Sequence, residues 1–472
     1  MSSTIRLRRP AAACLLALAC STAAARASVG LPGEGPMRHI QALQEIAQAN
    51  GGNRASGTAG YDRSAEYVAE QLRQAGYAVR FEEFTFAFSE ERAPPVLAVM
   101  GAAPAETPRG ELSSLSNSGS GDVAARLHAV DLGLGAEPLA TSTSGCEAED
   151  FAGFERGRIA LLRRGTCPFQ QKVDNAVAAG AAGAIIMNQG TGGDTGLFGG
   201  RLNARAAIPV LGVTTETGRR LAAAAAAPEG AMVRLAVTIE SGTRATRNVI
   251  AERPGTAPGL AVVGAHLDSV TQGPGINDNA SGTAAVLDTA LRMAAEPPGE
   301  TAIRFGFWGA EERGLIGSRH HVNALSEEER RRIGIYINLD MVGSPNFGRF
   351  VQTTGETLGP EIGRRFAAHF RERGLAVDER KAGQRRGYGT DDASFAEKGI
   401  PTVGLFTGAG ESKGEPQAGQ FGGTAGRPYD PCYHQACDTP ANVSPVVLGE
   451  MTEALQAVLR GVASTPLRRA EP

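Results

Sequence analysis

Strand-like and helix-like segments alternate along the second half of the chain, from about residue 259 onward. Apolar strands are predicted over residues 260–265, 301–308, 333–340 and 400–406, and helices begin near residues 280, 314 and 361, with a last helix over 447–462. Alternation of this kind is typical of an α/β/α sandwich around a mixed, mostly parallel central sheet. In such sheets, ligands bind beyond the carboxyl ends of the strands.

Side chains suited to metal binding follow three of these predicted strands. His266 follows the first, Glu311 and Glu312 follow the second, and Asp340 closes the third. Because a buried carboxylate is costly unless it is paired or bound to a metal, Asp340 at the end of an apolar strand is a candidate ligand. The sequence therefore predicts a metal site at this edge of the sheet.

Two further aspartates lie close to His266 in the sequence. Asp268 is placed to accept the second imidazole N–H of His266, which would fix the tautomer of the ring. Asp278 lies in the turn-like segment PGINDNASG. It is interpreted either as a turn residue or helix N-cap, or as a carboxylate that bridges two metal ions.

The adjacent residues Glu311 and Glu312 need different roles, because neighbouring side chains at a strand end diverge. One can bind a metal, and the other can take a proton from the water that the metal activates and deliver it to a leaving amine. The structural alternative is an acidic first turn of a helix, which the helix dipole favours.

Tyr433 and His434 lie between Cys432 and Cys437. A small disulfide ring would rigidify a loop that presents both aromatic rings. The tyrosine hydroxyl could donate to an oxyanion, and the histidine could serve as a second imidazole ligand.

The N-terminus is interpreted as an export signal over residues 1–27. A basic start containing Arg6, Arg8 and Arg9 precedes a short apolar stretch over 11–19, and an A-x-A site ends at Ala27. An alternative is lipid attachment at Cys20, after the sequence LALAC. No later segment is long and apolar enough to predict a membrane span. Both interpretations place the mature chain outside the cytoplasm, either secreted or in the periplasm or cell envelope.

Cysteine usage agrees with export. The cysteines beyond the signal region form two local pairs, Cys146 with Cys167 and Cys432 with Cys437, for which we predict disulfides. The formal net charge is −3, without a basic stripe, so no nucleic-acid partner is predicted.

The sequence pattern changes in the middle of the chain. After helices predicted over residues 37–49 and 61–75, Pro94 and Pro95 and a Gly/Ser-rich stretch over 113–121 indicate a boundary or a long loop. Short strands and small helices follow. This pattern predicts a compact accessory domain.

Four segments together resemble the double-zinc aminopeptidases, the family of the secreted bacterial leucyl aminopeptidases and vacuolar aminopeptidase Y. They are HLDSVTQGPGINDNASG (266–282), FGFWGAEERG (305–314), INLDMVG (337–343) and GRPYDPCYHQACDT (426–439). The middle block resembles a protease-associated (PA) domain. The resemblance implies a PA domain over 96–243 inserted into a discontinuous catalytic domain over 37–95 and 244–465.

The resemblance also implies site residues at the matching positions. Two zinc ions per chain are implied, with these ligands: His266, Asp278, Glu312, Asp340 and His434. Asp278 would bridge the ions. Three other residues have implied catalytic roles: Glu311 as general base and acid, Asp268 as the partner of His266, and Tyr433 as the group that stabilises the tetrahedral intermediate.

The implied activity is removal of N-terminal residues from peptides with a free amino terminus, with a hydrophobic first residue preferred. In one respect the chain departs from the family, because Gly389 stands where an arginine is expected before the strand at 400–406. Arg385 or Arg386 would have to supply that charge. Three alternatives remain: a carboxypeptidase using Arg385 and Arg386, a one-zinc glutaminyl cyclase-like enzyme, and a non-catalytic receptor-like binding protein.

Overall fold

In the computed structural model of the chain, the described residues are 1, 34–101, 105–134, 141–191, 194–381 and 389–467. The predicted signal peptide beyond Met1, with Cys20, lies outside the described residues, and so do Arg385 and Arg386. In the described part of the chain, no helix has both the length and the apolar character needed to cross a membrane.

The strands of the described chain belong to one extended sheet. They are β1 (Val79–Val99), β2 (Ala105–Glu106), β3 (Leu112–Ser114), β4 (Gly121–Ala129), β5 (Ile159–Arg163), β6 (Gly183–Met187), β7 (Val210–Val213), β8 (Met232–Arg253), β9 (Leu260–His266), β10 (Ala302–Trp308), β11 (Ile333–Leu339), β12 (Phe350–Thr353), β13 (Asp378–Lys381) and β14 (Thr402–Phe406).

Helices cover both faces of this sheet. They are α1 (Glu34–Ala49), α2 (Ala59–Gln74), α3 (Phe169–Ala178), α4 (Thr215–Ala226), α5 (Gly282–Ala294), α6 (Ile316–Ala324), α7 (Glu327–Arg332), α8 (Leu358–Glu372), α9 (Asp392–Ala396), α10 (Glu415–Phe421) and α11 (Pro445–Ala463).

The C-terminal half of the chain builds the larger part of the sheet, in the order β13-β12-β14-β11-β9-β10-β8. Strands β9, β10, β11 and β14 run parallel, whereas β8 and β12 pair antiparallel with their neighbours β10 and β14. The predicted mixed, mostly parallel α/β sheet is therefore confirmed. Continuous apolar strands such as β9 and β10 are fully buried, as strands covered on both faces must be.

The hydrophobic core of this half lies on both sides of the sheet. On one side α5 and α11 pack together against the strands, with Leu287 and Leu455 among the fully buried side chains. On the other side Trp308, Tyr336 and Phe395 form an aromatic layer. Because the sheet is clamped from both faces, its strand ends have fixed relative positions.

The accessory block forms a smaller α/β unit around β3 to β7. Its strands are also covered on both faces, by α4 on one side through Leu221 and by α3 on the other through Val173. The predicted disulfides are both present, between Cys146 and Cys167 and between Cys432 and Cys437, with Cα–Cα distances of 5.9 and 5.3 Å.

Two long strands, β1 and β8, connect the two halves as an antiparallel ribbon. The loop predicted at Pro94 and Pro95 is wrong, because β1 continues through both prolines. The pairing with β8 shifts register between Glu91 and Ala93 and again between Ala93 and Val96. Prolines are tolerated at such irregular positions, where no ladder hydrogen bond from their nitrogen is required.

Candidate metal centre

Neighbouring strands of the larger sheet bring their carboxyl ends together at one edge. His266 ends β9, the segment containing Glu311 and Glu312 follows β10, and Asp340 follows β11. Since β10, β9 and β11 are adjacent and parallel, these side chains converge on one cavity of about 670 Å³. Asp278, Tyr433 and His434 line the same cavity from loops.

The carboxylate of Asp278 lies between two imidazoles. Its Oδ1 is 3.1 Å from Nε2 of His266, and its Oδ2 is 3.1 Å from Nε2 of His434. Each oxygen thus faces a different histidine. A carboxylate that bridges two metal ions has this arrangement, with one oxygen for each ion.

Each histidine also faces a second carboxylate. Asp340 Oδ1 is 3.4 Å from Nε2 of His266, and Glu312 Oε2 is 3.2 Å from Nε2 of His434. In each of the two triads, built on Asp278, the possible ligand atoms lie within 4.8 Å of one another. The two triads share Asp278, so the residues form one continuous site with two halves.

The donor set of this site fits zinc. Imidazole nitrogens and carboxylate oxygens are zinc ligands, and each half has three protein donors, which leaves room for a further ligand. Glu312 Oε1 and Asp340 Oδ1 are buried without a hydrogen-bond partner among the described residues. Such oxygens are costly in a protein interior, and a bound cation removes that cost.

The charges of the site are strongly coupled. Burial and the neighbouring Asp278 raise the pKa of Glu312 to about 7. Burial disfavours the charged form of His434, but hydrogen bonds to Asp278 and Glu312 outweigh it and raise its pKa to about 10. Both shifts follow from burial and from the close approach of carboxylates and imidazoles.

Glu311 faces the cavity beside these ligands. Burial raises the pKa of its carboxyl well above the ordinary value, and repulsion from Asp391 and Asp340 acts in the same direction. Carboxyl groups with raised pKa values in a cleft are suited to accept and return a proton near neutral pH.

Asp268 contacts both metal-site segments. Nδ1 of His266 lies 3.1 Å from the main-chain carbonyl oxygen of Asp268 and 3.7 Å from its carboxylate Oδ1. That same Oδ1 accepts a 3.1 Å hydrogen bond from the main-chain N–H of Glu311. The carbonyl is thus the nearer partner of the imidazole, and the carboxylate links the His266 segment to the Glu311 segment.

Tyr433 and His434 are stacked, with ring centroids 3.9 Å apart. His434 has a left-handed backbone conformation, with φ of 57°, inside the disulfide ring of Cys432 and Cys437. Burial and the surrounding carboxylates, Asp278 first, raise the pKa of the Tyr433 hydroxyl. The phenol therefore stays protonated and can donate a hydrogen bond into the cavity.

The sequence did not single out Thr390. Its hydroxyl donates a 2.6 Å hydrogen bond to Oδ2 of Asp340 and accepts one of 3.2 Å from Asn338 Nδ2. Asn338 in turn accepts from the hydroxyl of Tyr336 at 2.7 Å. The available signal was the position of Thr390 directly after Gly389, where the chain departs from the family pattern.

A buried guanidinium was also missed. Arg54, in the loop between α1 and α2, donates to the main-chain carbonyls of Leu267, Pro274 and Gly275. The side chain is fully buried, and burial lowers its pKa to about 10. Since these carbonyls lie between His266 and Asp278, Arg54 holds the segment that carries both ligands.

Two loop contacts fix Asp278 itself. Its main-chain N–H donates to Asp438 Oδ2 at 3.0 Å, and the next residue, Asn279, donates from Nδ2 to the carbonyl of Leu339 at 2.9 Å. Asp278 is therefore tied both to the disulfide-containing loop and to the end of β11.

Part of the cavity wall beside the ligands is apolar, formed by these residues: Met341, Ala393, Ala396, Leu405 and Phe406. Charged residues, among them Arg380, Lys381 and Glu397, also line the cavity. Gly389 lies in the same wall, so the position expected to hold an arginine brings no charge to it. Asp391, nearby, is fully buried, and burial raises the pKa of its carboxyl to about 7.

Comparison with known proteins identifies similar sequences and folds. The models of Peptidase family M28 and of the PA domain match residues 248–459 and 132–221. An aminopeptidase of Pseudomonas aeruginosa (strain UCBPP-PA14) is 43% identical over 435 residues, which cover 89% of this chain and 79% of the relative. A probable lipoprotein aminopeptidase, LpqL, of Mycobacterium tuberculosis is 37% identical over 443 residues, covering 88% and 81%.

Two solved structures share the fold over most of their length. The aminopeptidase from Aneurinibacillus sp. strain AM-1 has a TM-score of 0.70 at 27% identity, covering 93% of this chain and 96% of that structure. BSAP, a zinc aminopeptidase from Bacillus subtilis, has a TM-score of 0.64 at 25% identity, covering 91% and 95%.

Proposed function

Because the chain belongs to peptidase family M28 and is a metallo-aminopeptidase, we propose that it works with two zinc ions and with Glu311 as the general base. The observation that carries the proposal is the position of Asp278, whose two oxygens each lie 3.1 Å from a different histidine. One metal ion would leave one of these imidazoles without a role.

The ligands divide into two sets that share Asp278. His266 and Asp340 would hold one zinc ion, and Glu312 and His434 would hold the other. Bound there, the ions would supply Lewis acidity, which polarises the scissile carbonyl and makes water a stronger nucleophile. The buried unpartnered oxygens of Glu312 and Asp340 support this assignment.

Glu311 moves the proton. It takes a proton from the attacking water and gives it to the nitrogen of the leaving amine, so that it ends the cycle in its starting state. The raised pKa of Glu311 supports both steps. A carboxylate with a low pKa would accept the proton of the water poorly, whereas a carboxyl with a raised pKa can hold that proton until the amine leaves.

Asp268 and Tyr433 have supporting roles. Asp268 orients His266 through its main-chain carbonyl and orients Glu311 through its carboxylate. The hydroxyl of Tyr433 donates to the oxygen of the scissile carbonyl as negative charge develops there.

The substrate is a peptide with a free amino terminus and a hydrophobic first residue. Its ammonium group is attracted to the carboxylates around Glu311 and Asp340. The first side chain occupies the apolar wall formed by residues such as Met341 and Phe406. An uncharged Gly389 in that wall is compatible with an apolar first side chain.

The enzyme acts outside the cytoplasm, as a secreted protein or, through Cys20, as a lipid-anchored one. Its two disulfides and its similarity to a probable lipoprotein aminopeptidase support this location. We place the catalytic domain at residues 37–95 and 244–465 and the inserted PA domain at 96–243. Both boundaries fall within the β1/β8 ribbon.

Metal analysis combined with matched substrates tests the proposal. We expect about two zinc ions per chain and chelator-sensitive release of p-nitroaniline from Leu-p-nitroanilide. The N-acetylated substrate should not be cleaved, because it lacks the free amine. A protein that binds no metal and cleaves neither substrate would contradict the assignment.

Further substrates separate the alternatives. Cleavage of N-blocked peptides from their carboxyl end would indicate a carboxypeptidase. One zinc ion with cyclisation of N-terminal glutamine would indicate a glutaminyl cyclase-like enzyme. A Glu-p-nitroanilide or Lys-p-nitroanilide turnover equal to that of Leu-p-nitroanilide would contradict only the hydrophobic preference.

A further inference from the structure

Glu311 and Glu312 lie in residues 309–317, the catalytic loop. Two of its non-glycine residues, Ala310 and Leu315, have left-handed backbone conformations, with φ of 54° and 61°. Such conformations cost free energy and persist only where the surroundings enforce them. The contacts that cover this loop therefore affect the geometry of the site.

The ribbon that joins the two halves of the molecule covers the loop. In the described part of the chain, β8 residues 249–253 pair with β10 and residues 232–237 pair with β4. Between them, β8 has only β1 as a ladder partner. This middle span of the ribbon belongs to neither sheet half and lies against the catalytic loop.

Apolar contacts form one part of this interface. Phe84, Phe86 and Phe88, on alternate positions of β1, form a buried cluster with Ala310, and Ile316 packs against it. Since side chains at alternate strand positions share one face, this face of β1 is directed at the catalytic loop.

An ion-pair network forms the other part. Glu90 continues the same face of β1, and its side chain is only 9% exposed. It accepts a 2.7 Å hydrogen bond from Nη2 of Arg313, the residue directly after Glu312. Arg244 of β8 donates two more, at 2.7 and 2.9 Å. Burial opposes ionisation of Glu90, but these guanidinium groups outweigh it and lower the pKa of the carboxyl.

The residues on either side of Glu90 contact the smaller half of the molecule. Ser89 Oγ accepts a 2.9 Å hydrogen bond from the main-chain N–H of Asn117, and the Glu91 carboxylate accepts one from the hydroxyl of Ser114. At this point of β1, one face contacts the catalytic loop and the other contacts the accessory unit.

We propose that Glu90 is a positioning residue that acts through Arg313 on the catalytic loop, so that the β1/β8 ribbon helps to set the orientation of Glu311 and Glu312. The inference rests on the proposed function of that loop. It gives the ribbon that leads to the inserted domain a mechanical connection to catalysis. Misplacement of a catalytic group by about 1 Å can cost as much as 100-fold in rate.

A double-mutant cycle on the intact enzyme tests the proposal. The variants are Glu90→Gln, Arg313→Met and the double variant, compared with Asp122→Asn. Asp122 of β4 accepts two hydrogen bonds, 2.9 and 2.8 Å long, from Arg234. Arg234 lies on β8, as Arg244 does, and the side chains of Asp122 and Arg234 are both exposed. This control removes a similar carboxylate–guanidinium pair without touching the catalytic loop.

We expect kcat for Leu-p-nitroanilide to fall about tenfold in each single variant, with KM changed less than about twofold and zinc content unchanged. The double variant should be no slower than the slower single variant, because both changes break one link. Asp122→Asn should keep the wild-type kcat.

Several results would overturn the proposal. They are a wild-type kcat in Arg313→Met, losses that multiply in the double variant, and an equal loss in Asp122→Asn. Arg313→Met leaves the pair of Glu90 and Arg244 intact. Its kcat therefore tests the positioning role even if Glu90→Gln does not fold. Zinc-loaded wild-type protein without aminopeptidase activity would instead reject the proposed function, and this inference with it.

Discussion

Thr390 donates a 2.6 Å hydrogen bond to Oδ2 of Asp340, while Oδ1 of the same carboxylate faces His266 at 3.4 Å. The hydroxyl thus fixes the rotation of the carboxylate and leaves the other oxygen for a metal. Hydrogen bonds to ligating groups of this kind typically change metal affinity by about 10- to 100-fold.

We therefore expect Thr390→Val, which keeps the shape of the side chain but removes the hydroxyl, to lower zinc affinity at one of the two positions by about tenfold or more. Thr390→Ser, which keeps the donor, is the matched control. Zinc titration against a competing chelator measures both. Equal affinities in the valine and serine variants would show that this hydrogen bond does not hold Asp340.

The neighbouring residues Glu311 and Glu312 should respond differently to the same substitution. Glu311→Gln removes the proposed proton carrier but none of the proposed metal ligands, so it should keep the zinc and lose about 100- to 10,000-fold in kcat. Glu312→Gln should weaken zinc binding at the position that we assign to Glu312 and His434. Zinc content and kcat measured together on both variants test this division. Near wild-type turnover in Glu311→Gln would refute the proton-transfer role.

Some of the candidate ligands could be predicted from features that are visible in sequence, whereas the full ligand set was implied by the resemblance to the double-zinc aminopeptidases. His266 and Asp340 lie at the ends of apolar strands, and the parallel arrangement of those strands brings the side chains together. The alternation of elements likewise predicted the sheet. These inferences depend on local periodicity and on one general property of parallel sheets.

The supporting residues could not be predicted in this way. Arg54 donates hydrogen bonds to main-chain carbonyls that are distant in sequence. Because every residue has a main-chain carbonyl, nothing in the sequence identifies these acceptors. Thr390 is one hydroxyl among many until the position of Asp340 is known. The ribbon was not predicted as a continuous element, because Pro94 and Pro95 indicate a boundary or a long loop, whereas β1 continues through them with a shift of register.

Arg54 provides a further test, because each of its three side-chain nitrogens donates to a different main-chain carbonyl. Lysine keeps the charge but cannot reach all three at once, which leaves buried acceptors and a buried cation poorly satisfied. Arg54→Lys should lower the free energy of unfolding by roughly 2–5 kcal/mol. It should also weaken zinc binding, since the held segment carries His266 and Asp278.

Arg234→Lys is the matched control, because that guanidinium is exposed and pairs with Asp122 at the surface. It should change stability by less than about 1 kcal/mol. Denaturant unfolding with and without added zinc measures both variants. If Arg54→Lys unfolds and binds zinc like Arg234→Lys, the buried guanidinium does not organise the site.

The two disulfides should differ in their effect on the metal centre. Removing the bond between Cys432 and Cys437 frees the short ring that holds His434 in its left-handed conformation, whereas the bond between Cys146 and Cys167 lies in the accessory unit. By loop-closure entropy, the double serine variants should lose roughly 2 kcal/mol of stability for the short ring and roughly 3.3 kcal/mol for the longer loop.

Only Cys432→Ser/Cys437→Ser should also lower zinc affinity, and it should do so first at the position shared by Glu312 and His434. Zinc affinity should fall because, in the open loop, His434 must be ordered at the moment of binding. The entropic cost of this ordering reduces the binding free energy. Stepwise zinc titration of both variants makes the comparison. Equal loss of zinc from Cys146→Ser/Cys167→Ser would mean that general destabilisation, and not the ring around His434, controls metal binding.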